Sequence, residues 1–316
     1  MISHPEKLLF PADDISKGEL AAYYESVAPA LLPHMRGRPV TMERFPAGID
    51  AKGFMQKDVS KGAPAFLARV EVPKKDGSTH YPLIDDLQAL LWLANQNCIT
   101  AHVWTSRMPN LDAPDLCLFD LDPSRDDHAE LVRAALAVRA LLAELGLESH
   151  VKTSGSKGYH IAVALDGANS TGEVWQFAHA VGALLVKRHP ELFTQEFLKS
   201  ERGTRILIDT GRNGYGATFA AAYTVRARAG APISAPCSWQ ELERGAAAPQ
   251  SFTLRTMRAR LDSVGDLWSP LLSGGHALSG AQATLLTLLT PEEIDQALAA
   301  STRRPAPRKR ARREPG

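Results

Sequence analysis

Residues Pro114–Ser124 read PDLCLFDLDPS, an apolar run that ends in two aspartates one residue apart and then a proline. Side chains alternate faces along a strand, so Asp120 and Asp122 point the same way. Pro123 cannot donate to a sheet ladder; it stops the strand and leaves both carboxylates at an open rim. Two carboxylates this close repel one another unless a cation lies between them, and hard divalent ions such as Mg2+ or Mn2+ take oxygen ligands. By itself an Asp-x-Asp pair is more often a solvated turn or strand end, so its meaning depends on its neighbours.

Two downstream stretches supply them. Thr153–Val163, TSGSKGYHIAV, reads as strand, glycine-rich turn, strand. Gly155 and Gly158 permit close backbone approach, Ser154 offers a hydroxyl, Lys157 a cation and His160 an imidazole. Such a turn suits an anionic ligand such as a triphosphate. It is not a Walker A loop, because the GxxxxGK[ST] spacing is absent; alone, it also reads as a plain turn with a solvated lysine. Arg205–Thr218, RILIDTGRNGYGAT, ends an apolar strand in Asp209 and places Arg212 three residues on. The stretch YTVRARAGAPISAP (223–236) then sets Arg226 and Arg228 on one strand face. An acid among arginines can be a structural ion-pair network. With the other two features it makes a coherent set, a two-metal centre beside a phosphate clamp.

The chain is long enough, at 316 residues, for one large or two smaller domains. Its apolar runs fall short of the roughly 20 residues of a membrane span, and the N-terminus MISHPEKLLFPADD has no signal-peptide pattern. Cys98, Cys117 and Cys237 are odd in number and far apart, fitting neither a disulfide framework nor a zinc site and suggesting a reducing cytoplasm. The net charge of +1 comes from 36 basic and 35 acidic residues. The last sixteen residues hold seven of the basic and one of the acidic, which leaves 29 against 34 in residues 1–300. The body is therefore acidic overall, and any polyanion site in it is a local patch.

Ser16 and Glu19 form a capping box before a helical apolar pattern through Leu20, Tyr23, Tyr24, Val27 and Leu31. Strands are expected at 38–45, 53–57, 115–121, 149–154, 159–165, 205–210 and 216–225. Helices are expected around Leu87–Ala94, Leu131–Leu145, Glu173–Arg188 and Thr290–Ala300, with a loop at SGGHALSGAQ (273–282). Strands alternating with helices and hairpins imply a mixed α+β fold, a sheet covered by helices.

FDLDP, SGSKGYH, IDTGRN and YTVRARAGAPIS follow one another in an order and spacing that resemble the polymerase module of bacterial ligase D, a member of the archaeo-eukaryotic primase superfamily. The upstream stretches KLLFPADDISKGELAAYYESVAPALLPHMRGRPVTMERFPAGI, GFMQKD and THYPLIDDLQALLWLANQNCITAHVW agree, and the resemblance covers roughly residues 5–270. It implies an RRM-like catalytic sheet with an N-terminal α/β subdomain. The primase-polymerase domain would fill 1–300, divided near 1–110, 111–270 and a helical 271–300, with a basic disordered tail at 301–316.

Carried onto matching positions, the resemblance implies that Asp120, Asp122 and Asp209 are the catalytic ligands of two divalent ions, Mn2+ or Mg2+. Ser154, Lys157, His160, Arg212, Arg226, Arg228 and His102 would bind the nucleotide, whether NTP or dNTP. Lys17, and secondarily Lys7, would grip a 5′-phosphate, with Phe54 stacking on DNA. The implied activity is primase-type extension at gaps and double-strand breaks in non-homologous end joining, readily with ribonucleotides. Implied partners are gapped or 5′-phosphorylated DNA, Ku and a DNA ligase, in a bacterial cytoplasm near the nucleoid and without a membrane. A non-catalytic DNA end-bridging module is the alternative. This chain departs from the pattern at Met55, where an aromatic is common, at Asp58, and in the small residues of TGRN.

Overall fold

The computed structural model describes residues 2–302, so most of the expected basic tail, from residue 303 on, lies outside the described residues. The strand carrying the acid pair runs Leu116–Pro123 and lies inside a six-stranded mixed sheet. It pairs antiparallel with Tyr159–Ala164 on one side and Ile206–Asp209 on the other. Beyond the first lie His150–Thr153 and then Pro236–Cys237; beyond the second lies the parallel strand Phe193–Thr194.

Alternation along the central strand separates the two larger hydrophobic cores of the described residues. Cys117, Phe119 and Leu121 pack with Leu131, Val138 and Leu142 of the helix His128–Glu144 and with Val174, Phe177 and Val181 of the helix Thr171–Arg188. Fully burying one such apolar side chain contributes about 1.5–3 kcal/mol, so this face binds the sheet firmly to its helices. Leu116 and Leu118, on the opposite face, join a second core with Val40, Met42, Ile99 and Ala101. Asp120 and Asp122 continue that second face past the point where it is sealed.

The second core belongs to a four-stranded sheet ordered Phe219–Ala220, Cys98–Val103, Val40–Arg44, Phe54–Gln56. Helices Lys17–Met35 and Leu87–Asn95 contribute Leu20, Tyr24, Leu31, Leu90 and Leu93 to it. The capping box forms as expected: Glu19 N–H donates to Ser16 Oγ at 3.2 Å and Ser16 N–H to Glu19 Oε2 at 3.0 Å. A part-buried ion pair joins this sheet's surroundings to the central strand, Arg38 Nη2 donating to Asp115 Oδ2 at 2.8 Å and Arg107 Nε to the same oxygen at 2.6 Å. No helix of the described residues is long and apolar enough to cross a membrane.

Four expectations change. The run 216–225 is a strand only at Phe219–Ala220, and Arg226 and Arg228 lie outside any strand, next to the single bridge Val225↔Ile233. Part of the expected loop 273–282 is the start of the helix Ser279–Leu288. That helix has no side-chain cap; it forms because Ala281 and Leu285 bury against the helical layer. An antiparallel hairpin, Arg69–Lys74 with Gly77–Pro82, and the strand Cys98–Val103 are present where none was expected. Residues 98–103 carry no polar alternation because both strand faces are covered, five of the six being buried.

Candidate active site

Strand register builds the site before any side chain turns. Asp120 stands opposite Asp209 on one neighbour and opposite His160 on the other, and His160 stands opposite Lys152. Asp209, Asp120, His160 and Lys152 thus form one cross-strand row on a single face, about 14 Å long at the usual strand spacing.

Asp120 is mostly buried, and burial together with the neighbouring Asp209 and Asp122 raises its pKa to about 6, while Arg212 opposes the rise. Arg212 Nε lies 3.3 Å from Asp120 Oδ2 and 3.2 Å from Asp209 Oδ2, one guanidinium shared between two acids. Asp122 sits at the more open rim and pairs with Arg202 at 3.1 Å. The Arg202 guanidinium is in turn held by the Glu196 and Phe197 carbonyls at 3.0 and 2.8 Å.

His160 Nε2 lies 3.5 Å from Asp120 Oδ1, and its Nδ1 is 2.8 Å from Lys152 Nζ. Lys152 is fully buried and also donates to the Ser234 hydroxyl. Burial, reinforced by Lys152, Arg226 and Arg212, pushes the His160 pKa well down, so the ring is neutral. Nδ1 shares one hydrogen bond with the buried Lys152, whose own pKa burial also pushes well down, and Nε2 is the ring nitrogen that faces Asp120.

The glycine-rich turn closes beside this row. The Ser154 hydroxyl accepts from the N–H groups of Ser156 and Gly158 at 3.2 and 3.1 Å, which fixes the turn. A Cβ at Gly158 would collide with the Leu121 carbonyl, so the turn approaches the central strand as only glycine allows. Arg226 Nη1 donates to the Ser154 carbonyl at 2.6 Å, and Arg226 Nε is buried with no hydrogen-bond partner. His102 Nε2 lies 3.3 Å from Glu43 Oε2. Burial works against the Glu43 charge, but the hydrogen bond and charge of His102 hold its pKa below the usual range. Lys157 and Arg228 are exposed beyond these groups.

Of the residues singled out from sequence, Asp120, Asp122, Asp209, His160, Arg212, Ser154, Arg226 and His102 are therefore brought to one face or its border. Lys17, Lys7 and Phe54 lie apart from them on the other sheet's side. Burial and then the neighbouring Lys7 ammonium lower the Lys17 pKa, so the two lysines share one patch. The helix N-terminus itself is not free to bind an anion there. Lys17 N–H donates to the Lys7 carbonyl and Gly18 N–H to the Pro5 carbonyl, each at 2.8 Å. Phe54 is 47% exposed, with the Arg44 guanidinium 5.4 Å from its ring centroid.

Lys152, Arg202, Glu43 and Ser234 were not anticipated. Lys152 carried a readable signal, a lysine between Val151 and Thr153 in a strand with no other charge until His150. Arg202 carried none, since its place over Asp122 depends on how the short turn Lys199–Arg202 folds back.

Three carboxylates on one face are the hard oxygen donors that divalent ions prefer, and the raised Asp120 pKa marks a place where added positive charge is favourable. Among the described residues, however, no three such groups already converge as a metal cluster. Arg212 stands between Asp120 and Asp209, where a shared ion would have to enter.

The chain matches the family model described as LigD, primase-polymerase domain, over residues 16–268. It is 35% identical over 275 residues to the multifunctional non-homologous end joining protein LigD of Mycolicibacterium smegmatis, covering 85% of this chain and 36% of that protein. The LigD protein of Pseudomonas aeruginosa is 34% identical over 285 residues, covering 89% of this chain and 34% of its own length. The chain thus spans about a third of these relatives. The solved polymerase domain of Mycobacterium tuberculosis ligase D in complex with DNA superimposes with a TM-score of 0.82 at 33% identity, covering 87% of this chain and 99% of that one. The chain belongs to the LigD primase-polymerase domain family, a family of nucleotidyltransferases.

Proposed function

We propose that this chain is a metal-dependent, primase-type polymerase that adds nucleotides to a primer 3′ end at gaps and 5′-phosphorylated breaks. The observation that carries the reading is the cross-strand row of Asp209, Asp120 and His160, flanked by Arg212 and by the Ser154–Gly158 turn. Asp120, Asp122 and Asp209 would hold two divalent ions, Mn2+ or Mg2+. When bound, these supply Lewis-acid stabilisation of the attacking and leaving oxygens.

The residues around them have separate tasks. His160 presents an N–H to the triphosphate, while Arg226, Arg228 and Lys157 neutralise its charge. Arg212, shared here between Asp120 and Asp209, would be available to pair with phosphate if ions took its place at the acids. His102, fixed by Glu43, borders the nucleotide. Lys17 and Lys7 take a 5′-phosphate, and Phe54 offers a stacking face to a base. Ribonucleotides are accepted readily, and Ku and a DNA ligase act alongside in end joining.

Primer extension on gapped, 5′-phosphorylated DNA with ribo- or deoxyribonucleotides tests this. Wild-type chain should extend with Mn2+ or Mg2+ and stop when the ion is chelated; Asp120→Ala with Asp122→Ala should bind the DNA and extend nothing. Extension by that double variant would sink the reading. The Arg212 guanidinium between the acids favours one other reading, an end-bridging module without catalysis. That reading requires DNA binding indifferent to both ion and nucleotide, and the same assay separates the two.

A further inference from the structure

Tyr215 is the most exposed of the Phe, Tyr and Trp side chains among the described residues, at 55%, and none of the roles above uses it. It is nevertheless held in place. Its ring meets Trp104 edge-on at 5.1 Å and 72°, and the buried Trp104 meets Tyr81 at 5.4 Å and 77°. Tyr215 forms one wall of an open cleft of about 660 Å³ whose other lining residues are Asp112, Thr171, Gly172, Trp175 and Gly214. Trp175 packs toward Gly214 and lies against His179 with ring centroids 4.3 Å apart and the planes tilted by 50°, and the His179 ring lies 3.1 Å from the Thr210 hydroxyl, next in sequence to Asp209.

Position identifies the occupant. The loop 211–215 carries Arg212 at one end and Tyr215 at the other. Asn213 clamps it to the central strand, exchanging 2.7 Å hydrogen bonds with the Leu118 N–H and carbonyl. Gly211–Asn213 form a 3-10 turn, so the three residues from Arg212 to Tyr215 span less than the roughly 10 Å of extended chain, no more than two or three nucleotides stacked about 3.4 Å apart. Sheet order puts this loop on the Asp209 side of Asp120, and the glycine-rich turn on the opposite, His160 side. On the polymerase reading a triphosphate at that turn lies across Asp120 from the cleft, so the strand reaching Asp120 from the Asp209 side is the one being extended. Charge agrees. Asp112 Oδ1 already accepts from Thr171 N–H at 3.3 Å, at the start of the helix Thr171–Arg188, so the cleft repels phosphate and suits a base. The Thr171 hydroxyl is buried there without a partner.

We propose that Tyr215 and Trp175 form a stacking cleft for a primer-strand base, one to three nucleotides behind the reacting 3′ hydroxyl. This rests on the polymerase reading for the identity of the strand. Stacking on aromatic faces tolerates any base, which suits an enzyme that receives ends of any sequence.

The test places 2-aminopurine at each of the last three primer positions and titrates the full chain without nucleotide. One position should be quenched with wild type and Tyr215→Phe, and not with Tyr215→Ala. In extension assays Tyr215→Ala should raise the primer–template KM roughly tenfold, with kcat and nucleotide KM within about twofold, and an abasic site at the quenched position should cancel that difference. Tyr215→Leu keeps apolar contact with Trp104 without stacking, and it decides the matter if the alanine variant melts. Unchanged quenching and KM in these variants overturn the cleft, as does quenching confined to template positions. Wild-type chain that extends no primer overturns the polymerase reading alone, because the nucleotide-free quenching still decides whether Tyr215 stacks on the DNA.

Discussion

Asp115 immediately precedes the strand Leu116–Pro123 and Asp120 lies five residues on, within it, and their surroundings are opposite. Asp115 faces two arginines: although burial works against its charge, Arg38 and Arg107 hold its pKa below the usual carboxylate range. Asp120 has part of one arginine and two acid neighbours, and burial with that repulsion lifts its pKa to about 6. The first is a balanced pair that joins two layers of the fold. The second is left short of positive charge beside the open rim, as the proposed cation site requires.

Removing each acid should give different phenotypes, and the largest contrast is in activity. Asp120→Ala with Asp122→Ala should reduce primer extension to background while leaving the urea midpoint at or above wild type. A large loss of stability would make the acids structural and dissolve the contrast. Asp115→Asn should do the reverse, retaining extension in the folded fraction but losing about 3 kcal/mol of stability, because the Arg38 charge is left buried without its partner. Because the Asp115 pKa is lowered on folding, that difference from wild type should be complete above about pH 4 and shrink as pH falls through the lowered value.

The smallest effect has the opposite sign. A carboxyl whose pKa is raised on folding destabilises the fold where it is ionised, so in chelator Asp120→Asn should be more stable than wild type at pH 7.5, by at most about 3 kcal/mol. The gap should close as pH drops through about 6 toward the unfolded carboxyl range, by chemical denaturation at each pH. A gap that widens on acidification would refute this account of Asp120.

What could be read from sequence was local. Asp120 and Asp122 share a face because side chains alternate, Gly158 marks a turn, and Ser16 with Glu19 caps a helix; each depends on a few adjacent residues. What could not be read depends on register between distant segments. Nothing near residue 120 states that Asp209 and His160 will stand opposite it, or that Lys152 completes the row. The two-residue spacing in YTVRAR puts Arg226 and Arg228 on one strand face, but a single bridge at Val225 stands in place of that strand. The helix Ser279–Leu288 was hidden because its start, with Gly280, has no capping side chain and depends on burial against another element.

The short strand Phe219–Ala220 bears on how the molecule is made. It arrives after Asp209, yet it pairs with Cys98–Val103 and forms an edge of the sheet built mostly from residues 40–103. Four residues on, the Tyr223 carbonyl accepts from the Tyr23 hydroxyl across 200 positions at 2.8 Å. The early sheet therefore waits for late synthesis, a long-range closure of the kind that slows folding. A chain cut before residue 219 would leave the Cys98–Val103 edge unpaired and open to intermolecular strand addition. The two cores are assembled together, and the face bearing the acids takes its final form only when both have closed.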